Sequence, residues 1–154
     1  MKNILGVDIG MSGALSFYDG AELICYSMPV YEVTGGNELD ILRISDIIRT
    51  NAPTEAYIEK ALLMPINGKK SYQKLGEAEG AFKGILCALK IPYTIVRPQE
   101  WKKHMQCPAE KDGARMRASQ LFPEWAHYWD KKTLDGVAEA AMISLYGYKK
   151  INYD

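Results

Sequence analysis

The stretch ILGVDIG, from Ile4 to Gly10, decides the fold of this chain because it joins a buried strand to a carboxylate and a glycine turn. Its continuous apolar run predicts a first strand over residues 3–9 that other elements cover on both faces. Residues 14–18 alternate between apolar and polar, Asp19-Gly20 forms a hairpin turn, and residues 21–28 predict a third strand. The chain therefore begins with an antiparallel meander of three strands.

Helices and strands alternate through the remainder of the chain. Apolar spacing and proline positions predict a loop over 29–37, a helix from Leu39 to before Pro53, strands over 55–59 and 91–96, an irregular segment over 62–70, and helices over 71–89, 98–103, 109–121 and 133–146. Thr133 is the predicted N-cap of the last helix. A strand meander followed by alternating helices and strands predicts an α/β fold in which helices cover a mixed sheet. Neither an internal repeat nor a linker is evident, so we expect one domain over residues 1–154.

The composition is that of a globular protein, because 47% of the residues are hydrophobic and 25% are charged, which excludes a disordered chain. No apolar run approaches the ~20 residues of a membrane helix, and the first residues lack the hydrophobic segment of a secretory leader. Cys25, Cys87 and Cys107 lack metal-site spacing. We therefore expect no membrane partner and a reduced, cytoplasmic setting.

Charge is unevenly distributed along the chain, although the formal net charge is zero. Acidic residues dominate residues 19–55, whereas basic residues dominate 60–90 and 97–117. A fold that gathers these bases would present one basic face to nucleic acid. An ordinary solvated surface explains the same pattern equally well.

Four carboxylates occupy positions from which they can converge. Asp8 ends the first strand and Glu59 ends the short strand AYIE, while Asp135 and Glu139 lie four residues apart on one face of the last helix. Small apolar residues around the last pair indicate that this helix presses against the sheet. Carboxylate oxygens suit Mg²⁺ or Mn²⁺, and two such ions can activate a water and stabilise the leaving oxygen of a phosphodiester. The pattern predicts metal-dependent phosphodiester hydrolysis.

Each of these acids also has an ordinary explanation when it is considered alone. Asp8 can be a turn residue before a glycine, and Glu59 can pair with Lys60. Asp135 can act only on the helix dipole, and Glu139 can be a solvated helix residue.

Histidine and tryptophan give weaker signals. His104 and His127 lack metal-site spacing, and we interpret both as surface or packing residues. Trp101, Trp125 and Trp129 can stack on bases, but we interpret them as core residues.

Together these residues resemble the RuvC-type Holliday junction resolvases of the ribonuclease H-like superfamily, and small phage members in particular. The resemblance spans nearly the whole chain and rests on GVDIG at 6–10, IEK at 58–60 and DGVAEA at 135–140, with support from LGEAEG at 75–80, RPQEWK at 97–102 and the segment 111–123. It implies a ribonuclease H-like fold with a five-stranded mixed sheet. It also implies a metal-dependent endonuclease that nicks branched DNA as a homodimer, leaving a 5′-phosphate and a 3′-hydroxyl.

The resemblance assigns roles to particular residues. It implies that two ions, Mg²⁺ or Mn²⁺, are bound by Asp8, Glu59, Asp135 and Glu139. The helix over 71–89 would form the dimer, which would compensate the ~1 kcal/mol that each of its internal glycines costs relative to alanine. Lys102, Lys103 and Lys111 match a region of basic residues that contact DNA, and the neighbouring bases give three more candidates, Lys69, Lys70 and Arg115. A bacterial or phage-infected cell is the implied setting.

The chain departs from the family pattern in two places. Family members usually have aspartate where this chain has Glu139. Many also carry an aromatic residue shortly after the middle glutamate, whereas this chain has Ala61-Leu62-Leu63-Met64. Leu62 or Met64 would have to act as the wedge at the junction centre, or selectivity would extend to flaps and forks.

Two other functions fit part of the pattern. A phosphotransferase of the actin and sugar-kinase type also has an Asp-x-Gly turn like the one from Asp8 to Gly10, but that class needs a second, nucleotide-binding domain. A non-catalytic module of the same fold that binds branched DNA is the other alternative. It stays open because this chain has Glu139 where the family usually has aspartate.

Overall fold

The computed structural model describes residues 1–62 and 68–153. Its strands are β1 (Ile4–Asp8), β2 (Ala14–Tyr18), β3 (Leu23–Ser27), β4 (Val30–Val33), β5 (Gly36–Leu39), β6 (Glu55–Glu59) and β7 (Tyr93–Val96). Its α-helices are α1 (Ile41–Asn51), α2 (Lys69–Ala88), α3 (Pro98–His104), α4 (Gly113–Leu121) and α5 (Asp135–Tyr153). Two 3₁₀ segments, Pro123–Trp129 and Lys132–Leu134, join α4 to α5.

Five strands form one mixed sheet in the order β3-β2-β1-β6-β7. β1 pairs antiparallel with β2 and parallel with β6, and β6 pairs parallel with β7. β1 lies at the centre, and its side chains Ile4, Leu5 and Val7 are fully buried. The predicted five-stranded mixed sheet, and the α/β fold with it, are confirmed.

Helices cover both faces of this sheet. On one face α5 lies across β1 and β2, and a Cβ at Gly6 would collide with the backbone of Ala140 and Ser144, so this glycine permits the close contact. A buried hydrogen bond of 3.0 Å between the hydroxyls of Ser16 and Ser144 fixes α5 against β2. On the other face α1 and α2 contribute an apolar layer that includes Ile44 and Phe82. The position of α5 on the sheet decides where its acidic residues lie.

The structure differs from the sequence predictions in several elements. Residues 29–37, predicted as a loop, contain most of the β4–β5 hairpin. Thr133 lies in a 3₁₀ segment and is not the N-cap of α5, which begins at Asp135 and extends to Tyr153 instead of ending at 146. α4 begins at Gly113 and not at 109, and a Cβ at Gly113 would collide with the backbone of Pro108.

The remaining predictions concern the segment over 62–70, the wedge, the cysteines, the membrane and the domain organisation. The irregular segment over 62–70 includes residues 63–67, which lie outside the described part of the chain, as does Met64 of the proposed wedge. Within the described ranges all three cysteines are free, and no helix is long and apolar enough to cross a membrane. The single domain over 1–154 stays a prediction.

Candidate active site

Two adjacent parallel strands bring Asp8 and Glu59 to one edge of the sheet. β1 and β6 pair in the register Val7 with Ile58, so the next residue on each strand reaches the same edge. α5 packs across these strand ends and adds Glu139. One carboxylate oxygen from each of Asp8, Glu59 and Glu139 lies within 4.8 Å of the others. Three elements that are distant in the sequence therefore build one carboxylate cluster.

Asp135 lies at the rim of the same site but outside this cluster. It is the first residue of α5, its side chain is exposed, and its Oδ1 accepts a 2.9 Å hydrogen bond from the N–H of Gly136. Asp8, Asp135 and Glu139 nevertheless line one open cavity of about 380 Å³. The structure brings three of the four predicted acids together and places the fourth at the mouth of the cavity.

The cluster is electrostatically unfavourable for ionised carboxylates. Burial raises the pKa of Asp8 well above its ordinary value, and the nearby charges of Glu139, Glu59 and Asp135 raise it further. Burial, followed by the charge of Glu139, raises the pKa of Glu59 from 4.5 to about 7. A divalent cation would remove this repulsion, and oxygen donors are the ligands that Mg²⁺ and Mn²⁺ prefer. The donor set therefore fits such an ion.

Helix α3 adds a cation and a hydrogen-bond donor to the cluster. The Nζ of Lys102 lies 3.4 Å from Oε1 of Glu139, and the Nε1–H of Trp101 donates a 2.6 Å hydrogen bond to Oε2 of Glu59. The prediction that Trp101 is a core residue is confirmed, since its side chain is fully buried. The sequence interpretation missed its contact with Glu59, although a buried indole N–H regularly requires an acceptor.

The six predicted DNA-binding residues do not share one environment. Lys102 lies at the cluster, whereas Lys103 and Lys111 are exposed on and after α3. Lys69 and Lys70 are exposed in the first turn of α2, and Lys70 approaches the carbonyl of Gly35 at 3.4 Å. The guanidinium of Arg115 is already bound to Asp112 at 2.9 Å and to the carbonyl of Trp129 at 3.0 Å.

A second group of bases, which the sequence interpretation did not select, borders the site. Lys60 and Arg97 follow the last residues of β6 and β7 and line an open groove of about 650 Å³ together with Leu62, which is 51% exposed. Neither base forms an ion pair with any residue that the structure describes. The signal was present in the sequence, since each base directly follows a predicted strand.

Solved structures that match this fold include Holliday junction resolvases. Thermus thermophilus RuvC in complex with a Holliday junction substrate matches with a TM-score of 0.69 at 13% identity, over 99% of this chain and 97% of that chain. The fold is that of the RuvC-type Holliday junction resolvases. The yeast mitochondrial Holliday junction resolvase Ydc2 matches with a TM-score of 0.63 at 14% identity, over 99% of this chain and 81% of that chain.

A viral structure extends this set. The fowlpox virus resolvase in complex with Holliday junction DNA matches with a TM-score of 0.52 at 13% identity, over 97% of this chain and 99% of that chain. No protein-family profile matches the chain, and no curated protein matches it in sequence. At such identities the likeness establishes the RuvC-type fold alone, so activity must be argued from the residues of the site.

Proposed function

We propose that this protein is a structure-selective DNA endonuclease that hydrolyses phosphodiesters in Holliday junctions or other branched DNA. The observation that carries the proposal is the convergence of three carboxylates from β1, β6 and α5 within 4.8 Å at an open cavity. The RuvC-type fold supports it, because T. thermophilus RuvC and the fowlpox resolvase are both described in complex with Holliday junction DNA.

Mg²⁺ or Mn²⁺ is the cofactor that these acids would hold. Asp8, Glu59 and Glu139 would bind one ion, and Asp135 at the rim would contribute to a second position on the same open side. When bound, such ions activate a water and stabilise the leaving oxygen of an in-line displacement. The longer side chain of Glu139 is compatible with this role, since its carboxylate already belongs to the cluster.

The bases around the cluster would hold the DNA backbone. Lys102 is paired with Glu139 at 3.4 Å and is 41% exposed, so a cation at the carboxylates would compete for Glu139 and leave the ammonium group for a phosphate. Lys60 and Arg97 would contact the same strand where it leaves the site. Phosphate contacts of this kind position the backbone without reading its sequence.

A homodimer through α2 completes the proposal. Gly76, Gly80 and Gly84 are exposed at intervals of four residues, and a Cβ at any of them would meet nothing within 4 Å. Nothing in the described part of the protomer therefore requires glycine there, although each one weakens the helix by ~1 kcal/mol relative to alanine. A second α2 approaching closely along this face would explain all three. Two active sites would then act on two strands of one junction.

The two alternatives make different demands on the site. A non-catalytic DNA-binding module has no use for buried acids with raised pKa values, so the cluster favours catalysis. An actin-like phosphotransferase would bind ATP tightly, and measurable ATP affinity would favour it over the nuclease.

The deciding experiment compares Asp8→Asn with wild type on a synthetic four-way junction and on linear duplex, with Mg²⁺ or Mn²⁺. In Asp8→Asn, loss of several kcal/mol of transition-state stabilisation by the cation should lower the cleavage rate by about 10³-fold or more. Binding of the junction should be retained. Asp19→Asn is the matched control, because Asp19 is a turn acid in the β2–β3 hairpin. Full cleavage by Asp8→Asn would overturn the proposal, and wild-type binding without cleavage would favour the non-catalytic module.

A further inference from the structure

The indole of Trp101 is placed between the hydrophobic core and the carboxylate cluster. Its side chain is fully buried among core residues that include Met105 and Val137, while its N–H donates 2.6 Å to Oε2 of Glu59. The neighbouring residue Glu100 accepts a 2.7 Å hydrogen bond from the hydroxyl of Tyr146 in α5. Helix α3 is thus anchored on both sides of the contact.

We propose that Trp101 is a positioning residue that holds Glu59 for divalent-cation binding through one oxygen. Because Oε2 accepts the indole N–H, Oε1 is the oxygen that carries no hydrogen bond within residues 1–62 and 68–153. The inference rests on the proposed metal centre and adds to it a contact specific to this chain. Trp101 itself would touch neither the cation nor the DNA.

The chemistry of the indole suits this role. An indole N–H is a donor only and never ionises, so it cannot bind the cation or exchange a proton with Glu59. A hydrogen bond to a carboxylate favours its charged form, which is the form that binds metal. The buried ring is fixed by packing, so it restrains the rotamer of a side chain with several rotatable bonds. Partners of this kind change metal affinity by about 10- to 100-fold when they are removed.

The test compares two buried tryptophans whose indole N–H groups donate to different acceptors. Trp129 is also buried, but its N–H donates 2.9 Å to the hydroxyl of Ser119 and not to a carboxylate. Trp101→Phe and Trp129→Phe each remove one indole donor from the core. Titration calorimetry with Mn²⁺ alone should show affinity weakened by about 10-fold or more in Trp101→Phe and unchanged in Trp129→Phe. Equal affinity in wild type and both variants would overturn the inference.

A second measurement applies if Trp101→Phe does not fold. The three tryptophans give three indole N–H resonances in a ¹H–¹⁵N spectrum, which Trp125→Phe and Trp129→Phe assign. In the wild-type protein, titration with Mg²⁺ should move the Trp101 resonance most, and Glu59→Gln should move the same resonance in the absence of metal. A Trp101 resonance that responds to neither change would overturn the inference.

The nuclease proposal can fail separately from this one. Wild-type protein that binds Mn²⁺ through Trp101-supported Glu59 but does not cleave a junction would leave the positioning role intact and reject the nuclease. Junction cleavage by wild type, together with equal Mn²⁺ affinity in wild type and Trp101→Phe, would support the nuclease and overturn the positioning role.

Discussion

Replacing Glu59 with glutamine should stabilise the metal-free protein at neutral and higher pH, although it removes a residue of the proposed active site. Glutamine has nearly the same shape as glutamate and carries no charge. Its carbonyl can still accept the N–H of Trp101. The substitution therefore isolates the effect of placing a charge at this position.

The pKa of Glu59 gives the size and the sign of the effect. At pH values between the ordinary pKa of Glu59, 4.5, and its raised pKa of about 7, the folded protein binds more protons than the unfolded chain. Stability from this group is therefore fully present below about pH 4.5 and is lost as the pH rises through about 7. The interval corresponds to about 3 kcal/mol, at about 1.4 kcal/mol per pH unit. The raised pKa of Asp8 acts in the same direction.

Urea denaturation followed by circular dichroism, with EDTA present, measures the effect. The free energy of unfolding of Glu59→Gln minus that of wild type should increase by about 2–3 kcal/mol between about pH 5 and pH 8. Groups remote from the cluster cancel in this difference, whereas Asp8 adds to it, because the charge of Glu59 raises the pKa of Asp8 only in wild type. Glu55→Gln, the same substitution at the opposite end of β6, is the matched control. Added Mg²⁺ should then stabilise wild type more than Glu59→Gln, because only the intact cluster binds it well.

A difference that stays constant within about 0.5 kcal/mol across this pH range would refute the reasoning. Glu59 would then behave as a solvated carboxylate, and the repulsion within the cluster would be too weak to require a cation. A difference of opposite sign would indicate that the ionised form is stabilised by Lys102 or Trp101 more strongly than burial opposes it.

Two further predictions concern the dimer and the DNA path. Gly80→Trp should convert a dimer into a monomer in analytical ultracentrifugation, because a bulky side chain on the open face of α2 blocks close approach of a second helix; a persistent dimer would place the interface elsewhere. Arg97→Ala should weaken junction binding and lower the slope of log affinity against log salt by about 1, without changing Mn²⁺ affinity. Arg43→Ala, an exposed base on α1, is its control, and an unchanged slope for Arg97→Ala would contradict the proposed strand path.

Elements with local signals were predictable from the sequence. The apolar runs of β1 and β6 and the Asp19-Gly20 turn encode strands without reference to the remainder of the chain, and the structure confirms them. The β4–β5 hairpin was missed because its strands are only four residues long and mostly exposed, so neither shows the buried apolar face that marks a core strand. It is supported from outside by Lys74 of α2, whose ammonium group donates 2.7 Å to the carbonyl of Asn37.

By itself, the sequence determined that Asp8 and Glu59 each end a buried strand and that Asp135 and Glu139 share one face of a helix. Only the tertiary structure decided which acid of that helix joins the cluster. Four residues advance an α-helix by about 6 Å along its axis, so the docking of α5 on Gly6 draws Glu139 inward and leaves Asp135 at the rim. The contact between Trp101 and Glu59 joins residues 42 positions apart, and only packing of α3 against the core creates it.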